Sequence, residues 1–318
     1  MRTSSSLTLN IPSPLERFTF REFDPKSPHI DIKRDDLIHR TLSGNKLRKL
    51  VGYLCNLQSQ QMRGLLTMGG PWSNHLHACG WLCHTLHIPM VALVRGEQPD
   101  TLSNMLIDLQ NWGIELRFIS RAEYRHLRRY YENSSVAAPE TFAEFSDYYF
   151  IPEGGRGPLA IDGLSELAAE VNHDYDAVYV GVGTATTLAG LVAHWSNPET
   201  HFYGVLAVDA MQSQMQTLEQ LAGEYRNGVT LLSEFTCGGF AKLTPDLAQF
   251  MADIYQHTGL PLEPVYTAKA LYAMRSHINE GRYDEQAKIL FIHTGGLQGL
   301  RGYDNRQLEP LFQAIASG

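Results

Sequence analysis

Short apolar runs alternate with helix-period segments along most of this 318-residue chain. That alternation restricts the possible folds more than any other feature. Runs at 64–70, 88–94, 114–119, 149–152, 177–183, 203–209 and 289–294 are rich in branched or aromatic residues. Most are bounded by Gly, Pro or Asp, as strands are. Between them, Leu47, Leu50, Val51, Leu54 and Leu57 recur at steps of three and four, as one buried helix stripe requires. Leu76, Cys79, Cys83 and Leu86 repeat the pattern, as do Leu102, Met105, Leu106 and Leu109, with Gly113 placed to stop that helix. Alternation of this kind predicts an α/β fold with mostly parallel sheets. In such folds, ligands bind where loops leave the carboxyl ends of strands.

Length and charge narrow the classes further. At roughly 150 residues per domain, the chain is expected to form two domains. Its formal charge is 26 − 34 = −8 with no block of like sign, which argues against nucleic acid as a partner. Four cysteines (Cys55, Cys79, Cys83, Cys237) do not make a disulfide scaffold. No apolar stretch approaches the roughly 18 residues that span a membrane, and the N-terminus lacks the apolar core of a signal peptide. A cytoplasmic soluble protein without a membrane partner is the expectation.

Four loops could carry chemistry. Ser43-Gly44-Asn45-Lys46-Leu47-Arg48-Lys49 opens the first helix stripe. A lysine there lies near the positive end of a helix dipole, which disfavours its ammonium form and suits it to attack a carbonyl; the alternative is a solvated basic turn. Thr67-Met68-Gly69-Gly70-Pro71-Trp72-Ser73-Asn74-His75 joins a strand to a helix capped by Ser73 or Asn74. Its free N–H groups could hold a carboxylate, or simply end a tight turn. In Gly181-Val182-Gly183-Thr184-Ala185-Thr186-Thr187-Leu188-Ala189-Gly190, backbone N–H groups and three hydroxyls converge where a phosphate would fit. A dinucleotide fingerprint would need glycine where Thr186 stands, although Asp209 could imitate its ribose-binding acid. No lysine-type phosphate loop is present there. Phe291-Ile292-His293-Thr294-Gly295-Gly296 runs a strand into glycines, a sign of close backbone approach.

His75, His77, Cys79, Cys83, His84 and His87 invite a metal reading. The cysteines share the apolar stripe of Leu76, however, and no paired Cys-x-x-Cys elements occur, so no metal is expected. The arginines between Arg117 and Arg129, with Tyr124, Tyr130 and Tyr131, read as a solvated helix face.

Taken in order, these loops resemble one family of pyridoxal-phosphate enzymes, that of D-cysteine desulfhydrase and 1-aminocyclopropane-1-carboxylate deaminase. The matching stretches are Lys33-Arg34-Asp35-Asp36-Leu37, residues 43–50, Gly69-Gly70, Ser73-Asn74-His75, Pro152-Glu153-Gly154-Gly155, residues 183–191, Glu263-Pro264-Val265-Tyr266-Thr267-Ala268-Lys269 and His293-Thr294-Gly295-Gly296. The resemblance implies the two-domain tryptophan-synthase-β-like architecture (fold type II), each domain a mostly parallel sheet flanked by helices. Residues 1–47 and 155–318 would form the larger, cofactor-binding domain and 48–154 a smaller inserted one. It also implies a homodimer and a small amino-acid substrate. Lys46 matches the Schiff-base lysine and Asn74 the residue bonded to the cofactor's phenolic oxygen. Gly183, Thr184, Ala185, Thr186 and Thr187 match the phosphate loop, and Thr294 the group facing the pyridine nitrogen. Ser73 matches the serine at the substrate carboxylate, with His75 beside it, and Tyr266 lines the substrate pocket.

The resemblance also separates the two chemistries. Deaminases place Glu directly after the pocket tyrosine, whereas this chain has Thr267. A threonine hydroxyl only hydrogen-bonds a pyridine nitrogen and favours the neutral ring, a weaker electron sink than ring-opening should need. A second pocket tyrosine of the deaminases is Phe240 here. Both features favour β-elimination from D-cysteine over the deaminase reading; a cofactor-binding protein without turnover and a nicotinamide-dependent enzyme are the rivals. Two departures bear on the pocket. Trp72 stands where the family commonly has Gln, adding bulk and removing an amide. Ala185 replaces a usual glycine, a change expected to spare N–H donation if its φ is negative.

Overall fold

The computed structural model describes residues 8–20, 27–132, 140–172 and 174–311. Strands and helices alternate through them. The strands are β1 (Leu15–Phe18), β2 (His29–Arg34), β3 (Gly64–Gly69), β4 (Met90–Arg95), β5 (Glu115–Ile119), β6 (Tyr148–Ile151), β7 (Ala177–Val182), β8 (His201–Leu206), β9 (Val229–Leu232) and β10 (Lys288–His293). The helices are α1 (Asn45–Ser59), α2 (Asn74–Leu86), α3 (Asn104–Asn111), α4 (Arg121–Glu132), α5 (Pro158–Ala169), α6 (Thr186–Ala193), α7 (Met211–Ala222), α8 (Pro245–Thr258) and α9 (Thr267–Asn279).

Two sheets result. The larger has the order β1-β2-β10-β7-β8-β9, parallel except for the antiparallel edge pair β1–β2. The smaller, β5-β4-β3-β6, is wholly parallel. Each sheet is packed on both faces: one face of the larger meets α8 and α9, the other α5 and α6. Burial on both faces explains why β3 and β4 read as continuous apolar runs rather than alternating ones.

All seven expected strands are present, with ends shifted by a few residues. Asp209 falls beyond the end of β8 and is exposed. Three strands escape the apolar-run criterion. In β1 only Phe18 is buried, in β9 only Leu231 and Leu232 are, and β2 carries Lys33 and Arg34 inside. The buried cations of β2 are neutralised. Lys33 pairs with Glu170 at 2.7 Å, and Arg34 forks onto Asp36 at 2.8 and 2.9 Å.

The same logic corrects the first helix stripe. Val51 of α1 is exposed (38%), while Arg48 and Lys49 are buried beside Leu47, Leu50 and Leu57. Arg48 reaches Asp35 and Glu170 bidentately, each contact at 2.8 Å. A fully paired guanidinium can occupy a core position that hydrophobicity alone would assign to valine. In α2, Leu76, Cys79 and Cys83 are buried, and Leu86 lies exposed where left-handed His87 closes the helix. Leu102 precedes α3 and is only partly buried, while Met105, Leu106 and Leu109 are fully so. In α4 the arginines are exposed and Tyr124 is buried, bonded to Glu153 Oε1 at 2.5 Å; the side chains of Tyr130 and Tyr131 lie outside the described residues. No helix among the described residues is long and apolar enough to cross a membrane.

Candidate active site

The first turn of α1 backs directly onto the end of β10. Gly44 N donates to Asp35 O at 2.8 Å, and Asn45 N donates to Thr294 O at 3.3 Å. Gly44 adopts φ 77°, ψ −164°, and a Cβ there would stand 1.9 Å from the Thr294 carbonyl oxygen. Only glycine permits both the conformation and the approach. This contact sets the first turn of α1, which carries Lys46, against the residues that follow β10. Lys46 Nζ donates to Asn45 Oδ1 at 2.5 Å, and Asn45 Nδ2 donates to Thr187 Oγ1 at 2.7 Å. Burial brings the Lys46 ammonium down to about 8, although Glu263 and Cys79 oppose the shift. Lys46 is only partly exposed, and roughly a tenth of it is neutral at pH 7, far more than for a free lysine.

The loop after β7 meets α1 through that Asn45–Thr187 bond. Ala185 adopts φ 56°, ψ −6°, so the expected negative φ is not found. A left-handed residue between turns helps point successive N–H groups into one concavity, as an anion nest requires. Alanine is strained there by about 1–2 kcal/mol, part of which glycine would give back to the unfolded chain. Ala185→Gly is therefore expected to raise the thermal midpoint of the cofactor-free protein by roughly 1–3 °C, measured calorimetrically. An unchanged or lower midpoint would show that no such strain exists. Thr184 and Thr186 hydroxyls lie 3.0 Å apart, and Gln214 Nε2 donates to Gly183 O at 2.5 Å.

Ser73 is the N-cap of α2, its Oγ accepting from Leu76 N at 3.2 Å. That bond uses the oxygen and leaves the hydroxyl hydrogen to donate. His75 is spent elsewhere. Thr67 Oγ1 donates to Ile151 O at 2.7 Å, so it accepts from His75 Nε2, 2.8 Å away. Burial, aided by Lys46 and Lys49, lowers the His75 imidazole to about 3 and keeps it neutral. Asn74 lies against the turn after β10: a Cβ on Gly296 would stand 2.7 Å from Asn74 Nδ2.

Tyr266 faces the start of the 183–187 loop, its ring 3.1 Å from where a Cβ on Gly183 would be. Phe240 meets it edge-on at 6.4 Å between centroids and is half exposed (51%). Trp72, 39% exposed, rests on Gly302 at the rim. The structure therefore gathers Lys46, Asn45, Thr187 and Thr294 in one group and Gly183, Tyr266 and Phe240 in another. Asn74, at the start of α2, joins them by lying against Gly296 in the turn after β10.

Three further residues belong here. Lys49, one turn after Lys46, is buried, with Nζ 3.4 Å from Gly154 O; among the described residues no carboxylate pairs with it. Burial, reinforced by Lys46, depresses its ammonium strongly. The i, i+3 spacing to Lys46 was the signal that could have found it. Glu263 is fully buried and accepts from the N–H groups of Val265, Tyr266 and Thr267 at 2.7–2.8 Å, capping α9. Thr267 Oγ1 is turned onto the backbone of Glu263. Gln298, the third, bonds Asn74, and no local spacing announces it.

Residues 8–295 match the family model described as "Pyridoxal-phosphate dependent enzyme". A protein of Pyrococcus horikoshii named "Putative 1-aminocyclopropane-1-carboxylate deaminase" is 32% identical over 294 residues, 88% of each chain. The "Bifunctional D-cysteine desulfhydrase/1-aminocyclopropane-1-carboxylate deaminase, mitochondrial" of Arabidopsis thaliana is 29% identical, covering 92% of this chain and 78% of that one. Among solved structures, an "ACC deaminase homologue" superposes with a TM-score of 0.77 at 28% identity over 94% of both chains.

Proposed function

This chain belongs to the pyridoxal-phosphate dependent enzymes, and from that premise we propose that it eliminates the β-substituent of a small amino acid, D-cysteine foremost. D-Cysteine and water would yield pyruvate, ammonia and hydrogen sulfide.

The residues present suit the cofactor. Lys46 would supply a part-buried amine to anchor its aldehyde carbon. Lys49 is a buried amine with no carboxylate partner among the described residues, adjacent through Gly154 to Thr184; a phosphate there would favour its charged form. The N–H groups and hydroxyls of Gly183, Thr184, Ala185, Thr186 and Thr187 would hold the same phosphate. Asn74 would donate to the phenolic oxygen and Thr294 would face the ring nitrogen. When bound, pyridoxal phosphate supplies an electron sink for charge left at the substrate's α-carbon. On the protein's side, the Ser73 hydroxyl and the first N–H groups of α2 would bind the substrate carboxylate. Lys46 Nζ, once displaced, would take the α-proton as a neutral amine.

One observation carries the preference for β-elimination. Glu263, the carboxylate whose charge acts on Lys46, is committed to three backbone N–H groups, and Thr267 is turned onto its own helix start. With Glu263 so committed and Thr294 rather than a carboxylate facing the ring nitrogen in this reading, the electron sink would be modest and would suit a leaving group that carries charge away. The relatives' names support the deaminase as the second reading.

Cofactor-loaded protein offered D-cysteine, L-cysteine and 1-aminocyclopropane-1-carboxylate separately tests both. Sulfide with pyruvate from D-cysteine is expected. 2-Oxobutyrate from the cyclopropane would establish the deaminase reading instead. Visible cofactor absorption without any product would mean binding without turnover.

A further inference from the structure

The family's customary amide before Ser73 is missing, because Trp72 stands there; another amide reaches Asn74 from the opposite side. Gln298, in the turn after β10, donates from Nε2 to Asn74 Oδ1 at 2.5 Å and approaches Trp72 O at 3.4 Å. The amide of Asn74 thus has its acceptor engaged by Gln298, while Nδ2 lies on the Gly296 side. An asparagine side chain can turn over, exchanging its donor and acceptor ends, unless a partner fixes it.

Gln298 is itself held. Arg301 Nη2 donates to Gln298 Oε1 and Nε to Gln298 O, both at 3.3 Å. With its oxygen accepting from a cation, the Gln298 amide has only its nitrogen left for Asn74. Arg301 in turn donates to Asp108 Oδ2 of α3 at 2.6 Å, and His77 Nε2 of α2 lies 3.2 Å from the same oxygen. Every link allows one donor–acceptor order only, because arginine has no acceptor and an ionised aspartate no donor.

We propose that Gln298, oriented by Arg301 and Asp108, is a positioning residue that fixes the Asn74 amide with its donor end toward the cofactor's phenolic oxygen. The inference rests on the cofactor reading of Asn74 above. It adds that the substitution of Trp72 does not leave Asn74 unsupported, because the turn after β10 supplies the missing amide.

A donor on the phenolic oxygen stabilises its anion and lowers the pH at which the bound cofactor loses its proton. A flipped amide would present Oδ1 and do the reverse. Gln298→Glu removes the donor and leaves a carboxylate that repels Asn74 Oδ1; Gln298→Met removes it without adding charge. In the cofactor-loaded protein, the pH midpoint of the visible band is expected to rise by about one unit in Gln298→Glu. A smaller rise in the same direction is expected in Gln298→Met, which decides the matter alone should the charged variant fail to fold. Asn74→Ala serves as the reference and should also raise the midpoint. If Asn74→Ala shifts the band and neither Gln298 variant does, the positioning role is refuted and the reading of Asn74 stands. If Asn74→Ala leaves the band unmoved, the reading of Asn74 fails and takes the positioning role with it. A wild-type protein that shows no visible band with pyridoxal phosphate overturns both.

Discussion

Lys46→Ala will abolish turnover and remove the visible absorption of protein mixed with pyridoxal phosphate. Two separate losses combine in this variant. The amine that anchors the cofactor disappears, and so does the base for the α-proton. General base catalysis alone is worth about 10²–10⁴-fold, so turnover should fall by more than about 10⁴-fold. The lowered ammonium of Lys46 adds a kinetic signature in the wild type. Only the neutral amine attacks an aldehyde. With Lys46 at about 8, capture of the cofactor by cofactor-free protein should accelerate roughly tenfold per pH unit below that value and level off above it. Stopped-flow absorbance between pH 6 and 9.5 reads both the slope and the plateau. A capture rate independent of pH, or activity surviving in the alanine variant, would remove Lys46 from the chemistry.

What could be read from the chain in advance divides along a physical line. Strands buried on both faces were legible because their interiors form unbroken, mostly apolar runs; β3, β4, β7 and β10 needed nothing more. The Ser73 cap was legible because capping is decided within three residues. Features made by distant partners were not. Lys33 sits inside β2 only because Glu170 meets it, 137 positions along the chain. Arg48 displaces Val51 from the core for the same reason. Gln298 reaches Asn74 across a separation of 224 residues, so nothing in either neighbourhood announces the pair. Ala185 shows a third case. Its side chain argues against a left-handed conformation, and the loop imposes one regardless. Local preference yields where the route from β7 to α6 requires a turn, and such sites are where function is expected to override propensity.

Gly44→Ala will cost the protein both stability and cofactor binding, although the residue touches no ligand in the proposed site. At φ 77° and ψ −164° the backbone occupies a region that is essentially glycine's alone, at a cost of about 1–3 kcal/mol for any other residue. The added methyl would also stand 1.9 Å from Thr294 O and 2.9 Å from Gly295 Cα. Both obstacles are backbone, so no side-chain rotation relieves them. β10, which ends next to them, is central in the larger sheet, paired with β2 on one side and β7 on the other. The first turn of α1 must therefore do the moving. That movement would break the Asn45 N bond to Thr294 O and strain Asn45's link to Thr187, separating Lys46 from the 183–187 loop. Destabilisation of at least about 3 kcal/mol is expected, a thermal midpoint lowered by roughly 6 °C or more. Cofactor affinity, read by fluorescence titration, should fall further than the loss of folded fraction explains. Gly44→Ala with wild-type melting and wild-type affinity would mean that α1 tolerates displacement, and that Lys46 is not positioned by this contact.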